Sequence, residues 1–374
     1  MKILMLNHEF PPVGGGASPV TFELSKQLVQ MGHRVDVVTM HYRDLPRFEI
    51  KDGVYIYRTP SIRKRPDICY THELATYLPG ALIKNIRLAR KQKYDIIHCH
   101  FIFPSGPLAW LVSKFTGIPF IITCHGSDVP GYNPDRFKLM HKMLLPLWRF
   151  LLRRTSLLTS PSESLKKLIL DSFPDAKINI VPNGIYTDRF SPGKKSESIL
   201  MCSRILPRKG FQFVIEAVKD MELDWQVHVV GEGPYLPELN KLAEGSKTPI
   251  KFWGWLDKKD PKFYELFNTS SIFVFPSEAE NFPAVLLEAM SAGMAIITST
   301  AGGCPEVVGK AGLLVEPRDT EGIRNTLQKL IESDKLRQQL SEAALKQVEQ
   351  FNWNNIALQY LNCYNEVINK TGAN

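Results

Sequence analysis

Short apolar runs rich in Ile and Val recur along this chain, each followed by a loop and a helix-length amphipathic segment, and no other feature constrains the fold as much. In the first half the strand candidates are Lys2–Asn7, Arg34–Met40, Val54–Thr59, Asp95–His100, Ile118–Cys124, Ser156–Ser160 and Lys177–Val181. Strands that are apolar on both faces and separated by helices imply a parallel sheet covered on both sides, hence an α/β architecture. After Pro182-Asn183-Gly184 and the polar stretch from Ser191 to Glu197 the pattern restarts, at Ile199–Cys202, Trp225–Val230, Ile250–Trp253, Ser271–Phe275, Ala295–Thr298 and Gly312–Val315. Two α/β units joined by a short linker near residue 193 are therefore expected, facing each other across a cleft. The tail, Asp319–Ile331 and Asp334–Asn369, reads as helices with a break around Phe351-Asn352-Trp353.

The length of 374 residues fits two to three domains at roughly 100–200 residues each. Hydrophobic residues are 44% and charged residues 22%, which supplies a buried core and excludes disorder as the main state. The six cysteines form no CxxC pair or regular framework, which points to a reduced, cytosolic setting. No run approaches the roughly 18 apolar residues that span a bilayer, and Ile3-Leu4-Met5-Leu6 is too short for a signal sequence. The net charge of +8 is unevenly placed: residues 1–180 hold 25 Lys and Arg against 14 Asp and Glu, and the remainder 21 against 24. The basic half raises nucleic acid or an anionic surface as partners. Its charges are not interleaved with base-stacking aromatics, so no nucleic-acid partner is expected.

In open parallel sheets, ligands sit beyond the carboxyl ends of the strands. The first loop there is Pro11-Pro12-Val13-Gly14-Gly15-Gly16-Ala17-Ser18-Pro19, before a helix that Ser18 would cap with Pro19 at its first position. Its glycines let backbone approach a ligand and its free amides favour an anion, with a flexible loop as the plain alternative. It is not GxGxxG, which counts against a simple dinucleotide fold. The second is Cys124-His125-Gly126-Ser127-Asp128, where His125 either reaches a substrate hydroxyl or is a satisfied structural histidine. His98, Cys99, His100 and Cys124 invite a zinc reading, but neighbours in a strand point to opposite faces, so no metal site is expected.

The third loop, Ser203 to Gly210, carries Arg204 and Lys209 at a strand-to-helix turn. The two converge on a diphosphate, Arg204 bidentate and Lys209 as a point charge, unless they belong to a solvated charge run. The fourth runs from Pro276 to Met290 and holds Glu280 and Glu288, with Pro283 at what should be the first helical position. That places Glu280 in the loop and Glu288 two turns into the helix, both gripping hydroxyls of a ligand whose phosphates meet the helix start. Surface carboxylates are the alternative, but Glu288 lies in the apolar segment Ala284 to Ala292, where an idle acid is costly.

Together with Val181-Pro182-Asn183-Gly184-Ile185, Gly231-Glu232-Gly233-Pro234 and Gly302-Gly303-Cys304-Pro305-Glu306, these motifs cover nearly the whole chain. In this order and spacing the sequence resembles family 4 of the retaining glycosyltransferases, also described as glycosyl transferases group 1. The resemblance implies the GT-B architecture: an acceptor-binding Rossmann-like domain over 1–192, a donor-binding Rossmann-like domain over 193–355, and a helix over 356–374 packing back on the first. It implies retaining, metal-independent transfer of a sugar from a nucleotide-diphosphate donor to a glycan, lipid-linked or small-molecule acceptor, in polysaccharide or glycoconjugate biosynthesis, with no cofactor. It also implies that Arg204 and Lys209 hold the diphosphate, Glu288 the ribose hydroxyls and Glu280 the transferred sugar. His125 would sit beside that sugar's reacting face, while the backbone of Gly15 and Gly16 approaches the phosphates from the other domain.

Two departures from the family pattern stand out. Asn281 and Pro283 flank Phe282 where glycine is common, and since Pro283 has no amide, phosphate donors must come from Phe282, Ala284 or Val285. Met294 stands where a proline is common, which reads as packing. The chemistry is independently coherent: two fixed cations and helix amides stabilise a departing diphosphate without a metal, and the chain contains no Asp-x-Asp triplet. A nucleotide-sugar epimerase of the same architecture is the alternative.

One amphipathic segment remains. Arg136 to Arg154 reads as a helix kinked by Pro146, in which Lys138, Lys142, Arg149 and Arg153 fall within about 60° of one another at roughly 100° per residue. Beside them lie Trp148 and several Leu and Met residues. This stripe suits peripheral docking on anionic lipid at the inner face of a membrane, or an ordinary helix with a solvated face.

Overall fold

The computed structural model describes the backbone of residues 1–66, 69–132 and 134–372, with the side chains of all these except 134–138 and 372. The chain forms two compact units, Met1–Gly184 with Trp353–Asn374, and Ile185–Asn352. They divide at Gly184/Ile185 and Asn352/Trp353, not at 192/193 and 355/356. The reason is local: Ile185 N–H donates to Phe351 O (2.9 Å) and forms a parallel bridge with Asn352, so the chain has already entered the second unit. The polar stretch after Ser191 packs inside that unit, with Lys195 Nζ donating to Ala292 O at 2.6 Å.

The first unit contains β1 (Lys2–Leu6), α1 (Ala17–Gln30), β2 (Arg34–Met40), β3 (Phe48–Lys51), β4 (Val54–Thr59), α2 (Thr71–Gln92) and β5 (Ile96–His100). It continues with α3 (Ser105–Thr116), β6 (Phe120–Thr123), α4 (Pro134–Arg154), β7 (Leu157–Ser160), α5 (Glu163–Ser172) and β8 (Ile178–Ile180). Its eight-stranded sheet has the order β3-β4-β2-β1-β5-β6-β7-β8. All pairs are parallel except β3 with β4. That exception escaped the apolar pattern because β3 is four residues long and largely exposed. Its signal is Asp52-Gly53, both at positive φ (50° and 79°), the two-residue turn that matches hairpin twist.

The second unit contains β9 (Ser196–Cys202), α6 (Phe211–Val218), β10 (Gln226–Val230), α7 (Leu236–Ala243), β11 (Ile250–Phe252), α8 (Pro261–Thr269) and β12 (Ser270–Phe275). Then come α9 (Ala284–Ser291), β13 (Ala295–Ser299), α10 (Cys304–Val308), β14 (Gly312–Val315), α11 (Thr320–Ile331) and α12 (Asp334–Val348). The six strands are all parallel, in the order β11-β10-β9-β12-β13-β14. Every residue of β12 and β13 is buried, as expected of strands covered on both faces.

The last helix, α13 (Trp353–Gly372), belongs to the first unit. It presents Tyr360 and Tyr364 to that unit's sheet, where Tyr364 Oη lies 2.7 Å from His98 Nδ1 and Tyr360 Oη 3.3 Å from Thr123 Oγ1. Among the described residues no helix is long and apolar enough to cross a membrane.

Candidate active site

In the second unit the strand order reverses between β9 and β12, so the loops leaving those two neighbours diverge and open a crevice at their carboxyl ends. The β9 loop carries Arg204 and Lys209, and the β12 loop carries Glu280. The structure joins them: Lys209 Nζ forms an ion pair with Glu280 Oε1, both side chains only 13% exposed. Ser277 Oγ donates to the same carboxylate oxygen at 2.7 Å, and Glu278 N–H donates to Arg208 O at 2.8 Å, tying the loops through backbone as well.

Two glycine motifs brace this crevice. Gly302 adopts φ +59°, and a Cβ there would lie 2.3 Å from Glu280 O, while Gly303 N–H donates to that oxygen at 2.9 Å. A Cβ on Gly233 would lie 1.9 Å from Ile205 O, and Ile205 N–H donates to Glu232 O at 2.8 Å. The Gly231-Glu232-Gly233 segment thus buttresses the exposed Arg204 from behind. Burial, followed by the charge of Glu280, pushes the Cys304 thiol up to about 12.

Glu288 is the fifth residue of α9, one turn into the helix and not two, and Pro283 is the N-cap residue rather than the first helical one. Its side chain is 6% exposed and forms an ion pair with Lys258, whose own side chain is 60% exposed. Desolvation of Lys258 opposes its charge, but the Glu288 carboxylate outweighs it and holds the ammonium above its usual value. Sequence reasoning missed Lys258 because Asp257-Lys258-Lys259-Asp260 has the composition of a solvated turn. Ala284 and Val285 supply the first amides of α9, ahead of the first turn bond from Leu286 N–H to Pro283 O at 3.1 Å. The Phe282 ring is buried edge-on against Phe351 (centroids 5.2 Å), so the side chain anchors the loop.

In the first unit the reversal falls between β1 and β5, and the glycine loop follows β1. Helix α1 starts at Ala17 after Gly16, so Ser18 is not its cap: the Ser18 hydroxyl donates instead to Val13 O at 2.6 Å. Nor is the Gly15 amide open to an anion, since it donates to Glu9 Oε2 at 2.9 Å. Glu9 is held in turn by the buried Arg63 guanidinium at 3.2 Å. A carboxylate therefore already occupies that donor, while Gly16 is exposed.

His125 follows β6, and its loop is pinned by Asp128. Asp128 Oδ1 accepts the N–H groups of His125 and Gly126 at 3.0 Å each, Oδ2 accepts Ile102 N–H at 2.8 Å, and the Asp128 carbonyl accepts Trp148 Nε1–H at 3.1 Å. The His125 ring packs against Phe101 (4.7 Å between centroids), with Nε2 3.0 Å from His100 Nδ1. Burial pushes its pKa down to about 3, so the imidazole is neutral. Cys99 Sγ donates to Phe101 O, while His98 and His100 stack on each other across the strand's other face. No cluster of three or more His, Cys, Asp or Glu suited to a metal occurs among the described residues.

On α4, Lys142, Arg149 and Arg153 are exposed; the side chain of Lys138 lies outside the described residues. Arg149 Nε donates to Ser172 O at 3.1 Å, and Arg153 lies over the Phe173 ring. Trp148, expected beside the basic stripe, is 1% exposed and faces the core. The apolar flank is instead Leu139, Met143 and Leu147, all exposed and four residues apart on one helix face.

Comparison with known proteins gives this geometry its context. Residues 14–189 match the model described as Glycosyltransferase Family 4, and residues 186–347 the one described as Glycosyl transferases group 1. N-acetyl-alpha-D-glucosaminyl L-malate synthase of Bacillus anthracis is 29% identical, over 96% of this chain and 95% of its own. Sucrose-phosphate synthase from Thermosynechococcus elongatus has the same fold, with a TM-score of 0.82 at 21% identity over 99% of each chain. HepE of Anabaena, solved in complex with UDP, gives a TM-score of 0.78 at 19% identity over 98% of this chain and 100% of its own. Two α/β domains, matched in succession by these two models over residues 14–347, place this chain in the family 4, group 1 glycosyltransferases of GT-B fold.

Proposed function

We propose that this glycosyltransferase uses a nucleoside-diphosphate sugar, retains the anomeric configuration, and needs no divalent metal or other cofactor. The observation that carries the reading is the Lys209–Glu280 pair at the point where the second sheet reverses direction. A departing diphosphate gains negative charge as the glycosidic bond lengthens. Lys209, Arg204 and the first amides of α9, from Phe282, Ala284 and Val285, meet that charge with fixed cations and dipoles. Glu280 then exchanges its lysine partner for hydroxyls of the transferred sugar. Glu288, deep in α9 with one exposed lysine as partner, takes the ribose hydroxyls. His125, neutral and loop-pinned, hydrogen-bonds the sugar near its reacting carbon.

The UDP held by HepE supports the choice of donor class, and the malate synthase name supports sugar transfer in glycoconjugate synthesis. No observation favours the epimerase. In the first unit, exposed Leu139, Met143 and Leu147 beside Lys142, Arg149 and Arg153 support peripheral docking on anionic lipid at the cytoplasmic face, and with it a lipid-linked acceptor.

The test is incubation with a panel of UDP-, GDP- and ADP-sugars, with and without EDTA. One donor should be slowly hydrolysed to free sugar and nucleoside diphosphate, at the same rate in EDTA. Consumption of none overturns the donor reading. Loss in EDTA with recovery in Mg²⁺ or Mn²⁺ overturns metal independence, and an epimerised donor as sole product revives the alternative.

A further inference from the structure

The first unit holds a row of imidazoles, of which the reading above uses only His125. His98 and His100, two residues apart on β5, project from the same face and stack with centroids 4.2 Å apart. His98 is immobilised from both ends, Nδ1 by Tyr364 Oη and Nε2 by Thr123 Oγ1, each at 2.7 Å. It forms a rigid floor under His100. His100 in turn meets His125 edge to edge, Nδ1 to Nε2 at 3.0 Å, with the planes 23° apart and the centroids 5.2 Å apart. The remaining nitrogen of His100, Nε2, is buried and has no hydrogen-bond partner among the described residues.

Neutral imidazole carries one N–H, so two neutral rings sharing one N···N contact have two arrangements. Burial holds both rings neutral. If His125 Nε2–H donated, His100 would carry its proton on Nε2, an N–H buried with no acceptor. If His100 Nδ1–H donates, the buried Nε2 is left with only an unused lone pair. Orphaned buried N–H groups are the rarer and costlier of the two. We infer that His100 is a positioning residue that donates from Nδ1 to His125 Nε2, and so forces His125 into the tautomer with its proton on Nδ1. Nδ1 of His125 makes no hydrogen bond among the described residues, so this proton is presented outward as a donor to an oxygen of the bound sugar. The consequence for turnover rests on the proposed contact between His125 and the donor sugar; the tautomer itself does not.

Ring ¹⁵N chemical shifts of His125 in the ligand-free protein read the tautomer directly, without any substrate. Wild type should show a protonated Nδ1 and a bare Nε2. His100→Phe keeps the ring and its stacking but removes the donor, and should shift His125 toward a protonated Nε2. His100→Asn places an amide N–H where Nδ1 was, and should restore the wild-type pattern. Turnover should follow, with kcat about 10-fold lower in His100→Phe, donor KM nearly unchanged, and most of the loss recovered in His100→Asn. A protonated Nε2 on His125 in wild type overturns the inference without need of any variant, as does a tautomer insensitive to His100→Phe. A tautomer that shifts while kcat stays constant upholds it and removes His125 from the donor site instead, a result His125→Ala would reproduce.

Discussion

Replacing Lys209 by methionine keeps the apolar stem that lies beneath its ammonium, which sits 5.3 Å from the centre of the Phe275 ring, and deletes only the charge. Two separable losses follow. The first is structural: the Glu280 carboxylate, 13% exposed, keeps the Ser277 hydroxyl but loses its cation. An under-satisfied, mostly buried acceptor costs about 1–3 kcal/mol, which lowers Tm by roughly 2–4 °C per kcal/mol for a domain of this size. The second is catalytic: one fixed donor to the departing diphosphate is gone, worth roughly 100-fold in kcat, or about 2.7 kcal/mol. Adding Glu280→Gln tells them apart. The double variant removes the stranded charge, so thermal stability should recover; turnover, which Glu280→Gln depresses by itself, is read in Lys209→Met alone. The assay is donor consumption well below either Tm, alongside calorimetry of nucleoside diphosphate binding. Turnover within a few-fold of wild type in Lys209→Met refutes a direct role for the ammonium and leaves Lys209 as the partner of Glu280 alone.

The two glutamates should separate by ligand. Glu280→Gln should depress turnover but leave bare nucleoside diphosphate binding nearly intact, whereas Glu288→Gln should weaken that binding; calorimetry showing the reverse would exchange the roles. Stability of the first unit should fall in mild acid. His8, His98 and His125 have folded pKa values of about 4, 3 and 3 against 6.5 when unfolded, burial being the main cause. The contribution is complete above 6.5 and is lost as pH falls toward the folded values, at up to ~1.4 kcal/mol per pH unit per histidine, because only the unfolded chain takes up the protons. Urea midpoints that stay flat from pH 7 to 4.5 would contradict it. Sedimentation with anionic vesicles at low salt should retain the protein, and changing Lys142, Arg149 and Arg153 to Ser should release it; binding indifferent to those changes rules out docking through α4.

The outline of the fold was legible because a doubly covered parallel strand leaves a one-dimensional mark, an unbroken Ile/Val-rich run. All thirteen parallel strands expected from such runs occur within a few residues of their expected limits, and β3, short and exposed, left no such mark. The candidate loops were legible for a related reason. Strand ends, glycines that admit close backbone approach, and an acid in an apolar helix are all local properties of sequence.

What the linear sequence could not carry was pairing. Nothing local to Glu288 points to Lys258, thirty residues earlier. Nothing in a glycine-rich loop reveals that Glu9 turns back to take the Gly15 amide, or that Ser18 bonds Val13 in preference to capping α1. Trp148 reads as amphipathic on a helical wheel, yet tertiary packing turns it inward onto the Asp128 carbonyl. The domain boundary, too, lies not at the polar stretch after Ser191 but at Gly184, where hydrogen bonding to Phe351 begins. Sequence alone determined which segments become strands and which loops are candidates for a site, since burial periodicity and backbone freedom act over a few residues. Only the tertiary structure decided which charge meets which, and which histidine nitrogens meet each other, because those depend on contacts between residues far apart in the chain.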